Sequence, residues 1–150
     1  MKPYEISEGD LLISDDKARL DRPLIHRFLS QRSYWAQNVP VEIVERSIEH
    51  SLCCGLYQAG AQIGFARAVT DFATFAWLAD VFIVEEARGH GYGKKLVAAM
   101  AAHPGLQTLR RFMLGTRDAH TLYEQFGFAL VKYPERFMEK CPETGYKSGG

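Results

Sequence analysis

Apolar positions along this chain switch between strict alternation and a spacing of three and four, and each switch marks an element. Tyr4 to Ile6 and Leu11 to Ile13 flank Ser7-Glu8-Gly9-Asp10, a turn composition, and predict an opening strand pair. A helix is expected from near Asp21, with Pro23 in its first turn and Leu24, Ile25, Phe28 and Leu29 on one face. Ser30 to Val39 breaks it. A second helix begins at Pro40, with Val41, Val44 and Ile48 inward and Glu42, Glu45, Arg46 and Glu49 outward. Leu52 to Tyr57 and Ile63 to Thr70, split by Gln58-Ala59-Gly60-Ala61-Gln62, predict a hairpin, and Phe72 to Val84 a third antiparallel strand. From Phe75 to Val84 both alternating faces are apolar, the pattern of a strand covered on both sides, with Asp80 its one charge before Glu85. Leu96, Val97 and Met100 then recur at helical spacing until Pro104-Gly105. Arg111 to Gly115 is the next strand, parallel to the third because a helix crosses between them. Ala119, Leu122, Tyr123 and Phe126 mark a short helix closed by Gly127, and Phe128 to Tyr133 resumes as strand. The sum is an α/β (α+β) fold on a mixed, mostly antiparallel sheet.

A length of 150 residues fits one domain, expected over 1–140, with a loose tail over 141–150 that has little to bury. Eighteen basic residues balance eighteen acidic ones, and no Lys or Arg cluster forms a nucleic-acid stripe. Nucleic acid is therefore not an expected partner. The three cysteines form neither a C-x-x-C pair nor an even framework, and no signal peptide or long apolar run is present. A cytoplasmic protein without membrane attachment is expected. A homodimer is compatible with the sequence, which carries nothing that fixes oligomeric state.

The chemistry concentrates in Arg88-Gly89-His90-Gly91-Tyr92-Gly93-Lys94, between the buried strand and the central helix. A helix start presents unpaired N–H groups and the positive end of the macrodipole, and glycines let an anion reach that backbone. Arg88, Lys94 and Lys95 add charge. The P-loop pattern fails because its first glycine would fall on Arg88 and because Lys94 is followed by Lys95 rather than Ser or Thr. The G-x-G-x-x-G fingerprint fails because Gly89 and Gly91 would require glycine at Lys94. What remains is R-G-x-G-x-G after a strand, which resembles the acetyl-CoA pyrophosphate loop of the GCN5-related N-acetyltransferases, the GNAT family. An ordinary strand-to-helix turn is the plainer reading of the loop taken alone.

A second motif, Ala119-His120-Thr121-Leu122-Tyr123-Glu124-Gln125-Phe126-Gly127-Phe128, is similar to the GNAT pattern A-x-x-L-Y-x-x-x-G-F, whose tyrosine faces the cofactor sulfur. The resemblance implies a GNAT fold with helices on both faces of the sheet, acetyl-CoA as cofactor, and N-acetyl transfer to a small-molecule or peptide amine by direct attack. It casts Tyr123 as the acid for the departing thiolate. Reference values of ~8.5 for a thiol and ~10 for a phenol leave a mismatch of only about 2 kcal/mol. Backbone groups of Phe82 and Ile83, with Val81, would hold the thioester arm, and residues 88–94 the diphosphate. Asp80 and His120 are the candidate bases. Asp80 could equally be an ion partner of Arg67 or Arg88, His120 a substrate contact or a solvated histidine, and water chains serve as base in many members. Tyr34 and Trp35, in the loop between the first two helices, are either the plug between those helices or one wall of the acceptor pocket. Family members often carry Asn where this chain has Thr116, which leaves one cofactor contact open. A non-catalytic acyl-CoA-binding or sensor module on the same fold is the alternative function, and a structural partner protein a third.

Overall fold

The computed structural model describes residues 2–142, 145 and 146. Six strands form one sheet in sequence order: β1 (Glu5–Glu8), β2 (Leu11–Ser14), β3 (Leu52–Gln58), β4 (Ala61–Thr70), β5 (Phe75–Ile83) and β6 (Arg111–Leu114). All neighbours run antiparallel except β5 and β6, which are parallel and pair only from Phe75↔Arg111 to Leu78↔Leu114. Helices α1 (Arg22–Gln31) and α2 (Val41–Glu49) cover one face, and α3 (Tyr92–Ala102) covers the other, where the short α4 (His120–Glu124) lies beside β6. The mixed, mostly antiparallel sheet between helical layers is as expected.

Local chemistry sets the boundaries. The Asp21 carboxylate caps α1 by accepting from the Leu24 N–H at 3.1 Å. The Asp71 carboxylate accepts from the N–H groups of Ala73 and Thr74 at 2.9 and 2.8 Å, and this closed turn delays β5 to Phe75, three residues beyond its expected start. Leu96, Val97, Ala99 and Met100 bury one side of α3, which ends where Pro104 holds His103 extended. The helix is tied to the β1–β2 hairpin at both ends, by Lys95 to Glu8 at 3.0 Å and by His103 to Asp15 at 2.8 Å. The glycine loop that precedes α3 is therefore mounted on a fixed element.

The strand expected over Phe128 to Tyr133 does not form: these residues join no ladder. Phe128 sets its ring edge-on to Phe112 of β6 at 5.2 Å and to Tyr123 at 6.1 Å, so the segment packs beside β6 through side chains instead of pairing with it. Leu130 is left 84% exposed. Of the tail expected over 141–150, residues 143, 144 and 147–150 lie outside the described residues.

Adjacent on β3, Cys53 and Cys54 point into opposite layers, Cys53 toward α1–α2 and Cys54 toward α3. Burial pushes the Cys53 thiol up to about 11 and the Cys54 thiol up to about 12. The folded state thus holds these protons more tightly than the unfolded chain, whose thiols titrate near ~8.5. This contribution to stability is complete below that value and is lost as pH rises toward 11 to 12. The melting temperature should accordingly fall steeply above pH ~9. Cys54→Ala should make that slope shallower; parent and variant with parallel slopes would contradict the burial of the thiol.

Candidate active site

A single extra residue organises the site. Phe65 pairs with Phe82 and Arg67 with Ala79, so Ala66 alone faces both Asp80 and Val81, a β-bulge in which Asp80 adopts φ of 54°. A left-handed aspartate inside a strand is strained backbone that the surroundings must hold in place. The bulge shifts the alternation of β5. Ala76 and Leu78 face α3, yet Phe82, of the same parity, stacks on Phe28 of α1 at 3.9 Å. Because the Val84 N–H bonds the Ile63 carbonyl at 2.9 Å, the backbone groups of Val81 and Ile83 point away from β4. They face a cleft, since β6 has stopped pairing at Leu114. Phe82, named from the sequence as a cleft residue, is turned the other way: its ring is buried among the α1–α2 residues and its backbone belongs to the β4 ladder. Val81 and Ile83 take that place.

The glycine loop lies beside Ile83, whose side chain is 3.9 Å from where a Cβ at Gly93 would stand. Gly89 and Gly91 have φ of 87° and 76°, while a Cβ at either would meet no heavy atom within 4 Å. Backbone conformation, not crowding, requires glycine here. Gly91 caps α3 without any side-chain hydrogen bond, and the first intrahelical bond runs from the Lys95 N–H to the Gly91 carbonyl at 3.2 Å. The N–H groups of Tyr92, Gly93 and Lys94 are consequently left to an external acceptor. Arg88, His90 and Lys94 are exposed around them. Arg88 donates through Nε to the Ile83 carbonyl at 3.1 Å, and Lys94 has no ion-pair partner among the described residues. Lys95 is spent on Glu8.

Tyr123 lines two cavities beside β6, one of about 430 Å³ shared with Asp80 and one of about 320 Å³ shared with His120. Burial, with a smaller contribution from the nearby Tyr34 phenol, raises its pKa, and its hydroxyl makes no hydrogen bond among the described residues. Thr116 Oγ1 accepts from the Ala119 N–H at 3.0 Å, so the residue standing where asparagine is common helps start α4. His120 is exposed on the opposite flank of Tyr123 from Asp80. The two candidate bases are not brought together.

Tyr34 and Trp35 do not plug the gap between α1 and α2. They are 44% and 41% exposed and lie over the larger cavity. Trp35 Nε1–H donates to Asp80 Oδ1 at 2.8 Å, while Arg67 Nε donates to Asp80 Oδ2 at 2.8 Å. Both oxygens of the strained aspartate therefore already accept. The Tyr34 hydroxyl accepts from the Arg117 N–H at 3.2 Å, and the Arg117 guanidinium lies 3.8 Å from the Tyr34 ring centroid. The α1–α2 loop is thus latched to β5 and to the segment before α4. Two lining residues, Trp77 and Arg117, were not anticipated. Arg117 directly follows Thr116, and its place beside the second motif was the available signal.

Residues 49–130 match the family model described as an acetyltransferase (GNAT) domain. The chain belongs to the GNAT family. A protein of Gibberella zeae, provisionally described as an acetyltransferase, is 32% identical over 142 residues, covering 81% of this chain and 80% of its own. A GNAT-family structure from Xanthomonas campestris pv. campestris, also provisionally described as an acetyltransferase, is 48% identical with a TM-score of 0.87, covering 91% of this chain and 96% of that one. A probable acetyltransferase from Staphylococcus aureus, at 18% identity and a TM-score of 0.67 over 88% of this chain and 98% of its own, shares the fold. Acetyltransferases are thus this chain's kin. Among the described residues no helix is long and apolar enough to cross a membrane, and no cluster of His, Cys, Asp and Glu could hold a metal ion.

Proposed function

We propose that this GNAT protein transfers an acetyl group from acetyl-CoA to the nitrogen of a primary amine, by direct attack and within one domain. The observation that carries the reading is adjacency: the uncapped start of α3 abuts Ile83, whose side chain is 3.9 Å from where a Cβ at Gly93 would stand, Ile83 follows the equally unpaired Val81, and Val81 lines one cavity with Tyr123. Coenzyme A fits these residues, because a diphosphate matches the open N–H groups beside Arg88 and Lys94, and an amide-bearing arm matches a strand edge without a partner. When bound, the thioester supplies an electrophilic carbonyl carbon and a thiolate leaving group.

The protein's own part is placement and proton transfer. The N–H groups at Gly93 and Lys94 anchor the diphosphate, and those of Val81 and Ile83 are the available donors to the arm and to an oxygen on which charge develops. The Tyr123 hydroxyl gives its proton to the departing sulfur. Burial raises this phenol. Burial would raise a thiol lying against it in the same sense. The incoming ammonium must lose one proton before its nitrogen bonds the carbonyl carbon; as the C–S bond breaks the nitrogen loses a second, which leaves a neutral amide and restores the Tyr123 phenol. With Arg67 and Trp35 each holding one Asp80 oxygen, the first proton leaves through solvent in the larger cavity that Asp80 lines. No acyl-enzyme is involved: the buried Cys53 and Cys54 have raised thiol pKa values, and the exposed Cys141 stands outside the cleft. Three free thiols suit a reducing, cytoplasmic compartment.

Thiol release from acetyl-CoA, followed across a panel of primary amines, tests this reading. Turnover with at least one amine is expected, together with a rise in melting temperature on adding acetyl-CoA. A melting shift without thiol release across a broad panel would replace the enzyme with an acyl-CoA-binding module. Neither response would remove coenzyme A from the account.

A further inference from the structure

The larger cavity also says what kind of amine enters it. Tyr34, Trp35 and Trp77 line it together and are 44%, 41% and 39% exposed. Three large rings left this open on one concave surface mark a place that something covers. They are held in place before anything arrives. Trp35 is fixed by its bond to Asp80, Tyr34 by Arg117, and Trp77 by its position on β5 between Val69 of β4 and Met113 of β6. Rings that are already ordered bind a flat ligand at little entropic cost.

Charge narrows the choice further. The ionised side chains lining this cavity are Asp80, Arg117 and Asp118, and each acid has a counter-ion: Asp80 with Arg67 at 2.8 Å, Asp118 with Arg117 at 3.9 Å. Arg117 is engaged further by the Tyr34 ring. The pocket holds no surplus of negative charge for a polyamine or an aminoglycoside, and its one arginine is committed rather than presented to a phosphate or carboxylate. What the surface offers is ring faces for one ammonium and for the flat apolar body that bears it. We infer that the acceptor is a primary monoamine on an aromatic body, an arylalkylamine. The inference rests on the acetyltransferase reading and deepens it.

Calorimetric titration of phenethylamine into protein saturated with coenzyme A, with spermidine and kanamycin as comparators, tests it by binding, and thiol release from acetyl-CoA tests it by turnover. Phenethylamine should bind and turn over, with both comparators weaker by about tenfold or more, the equivalent of one good ring contact. W77A should raise KM for phenethylamine by a similar factor of about ten while kcat changes little, and W77F should restore most of the loss. Both variants should keep the parent's melting shift with acetyl-CoA, which shows that they fold. Comparators that bind as well as phenethylamine, no phenethylamine binding, or an unchanged KM in W77A would overturn the assignment. Absence of the acetyl-CoA melting shift in the parent would instead overturn the reading beneath it.

Discussion

Gly91→Glu is expected to abolish acetyl-CoA binding while leaving a folded protein. Gly91 caps α3 at φ of 76°, and the space a Cβ would enter is open. A glutamate there costs about 1–2 kcal/mol in left-handed strain, which a domain can absorb, and its Cβ meets no neighbour. Its carboxylate would lie where the diphosphate binds. At about 4 Å and an effective dielectric of about 20, each pair of like charges opposes binding by about 4 kcal/mol, on the order of a thousandfold in affinity. Gly91→Asn separates backbone from charge, because asparagine tolerates the left-handed region. It should retain most of the affinity, and calorimetry on the two variants gives the comparison. If the glutamate variant binds acetyl-CoA as the parent does, the diphosphate is not at this helix start.

Tyr123→Phe should lower kcat by about a hundredfold, within the usual range for loss of a positioned acid, and change the affinity for acetyl-CoA little. Only the hydroxyl is lost. The ring and its packing on Phe128 remain, so stability should be close to the parent's. The deficit should shrink with an acyl donor whose thiol is more acidic, because that leaving group needs less help. Thiol release measured with two such donors on both proteins decides the matter. Equal deficits with both donors would give Tyr123 a positioning role, and no deficit would remove it from the reaction.

The chain announces its glycine loop and its tyrosine because both sit in short local motifs: φ at Gly89 and Gly91 demands glycine, and Tyr123 stands out through the resemblance of residues 119–128 to the family pattern rather than through helical spacing. The opening strand pair, the three sequential antiparallel strands and the parallel step to β6 follow equally from alternation and from the helix between β5 and β6; the pairing of β2 with β3 does not. The facing of residues beyond Asp80 does not. One inserted residue moves Phe82 from the α3 side to the α1 side, and a run apolar on both faces gives no alternation from which to read a bulge, even with Asp80 at the spot. The partners of Asp80 are set by contacts across strands and loops that sequence spacing does not reveal: Arg67 on β4 and Trp35 from the α1–α2 loop each donate to one of its oxygens. Residues 128–133 alternate like a strand but pack their rings beside β6, because apolar alternation specifies a face and not a ladder partner.

The account depends on amides at the start of α3 grasping a diphosphate so that the thioester runs along Val81 and Ile83 to Tyr123. A crystal structure with coenzyme A bound measures this directly. The account predicts diphosphate oxygens within hydrogen-bonding distance of the Gly93 and Lys94 N–H groups and the sulfur against the Tyr123 hydroxyl. Coenzyme A seated elsewhere, or a sulfur on the far side of β5 from Tyr123, would contradict it.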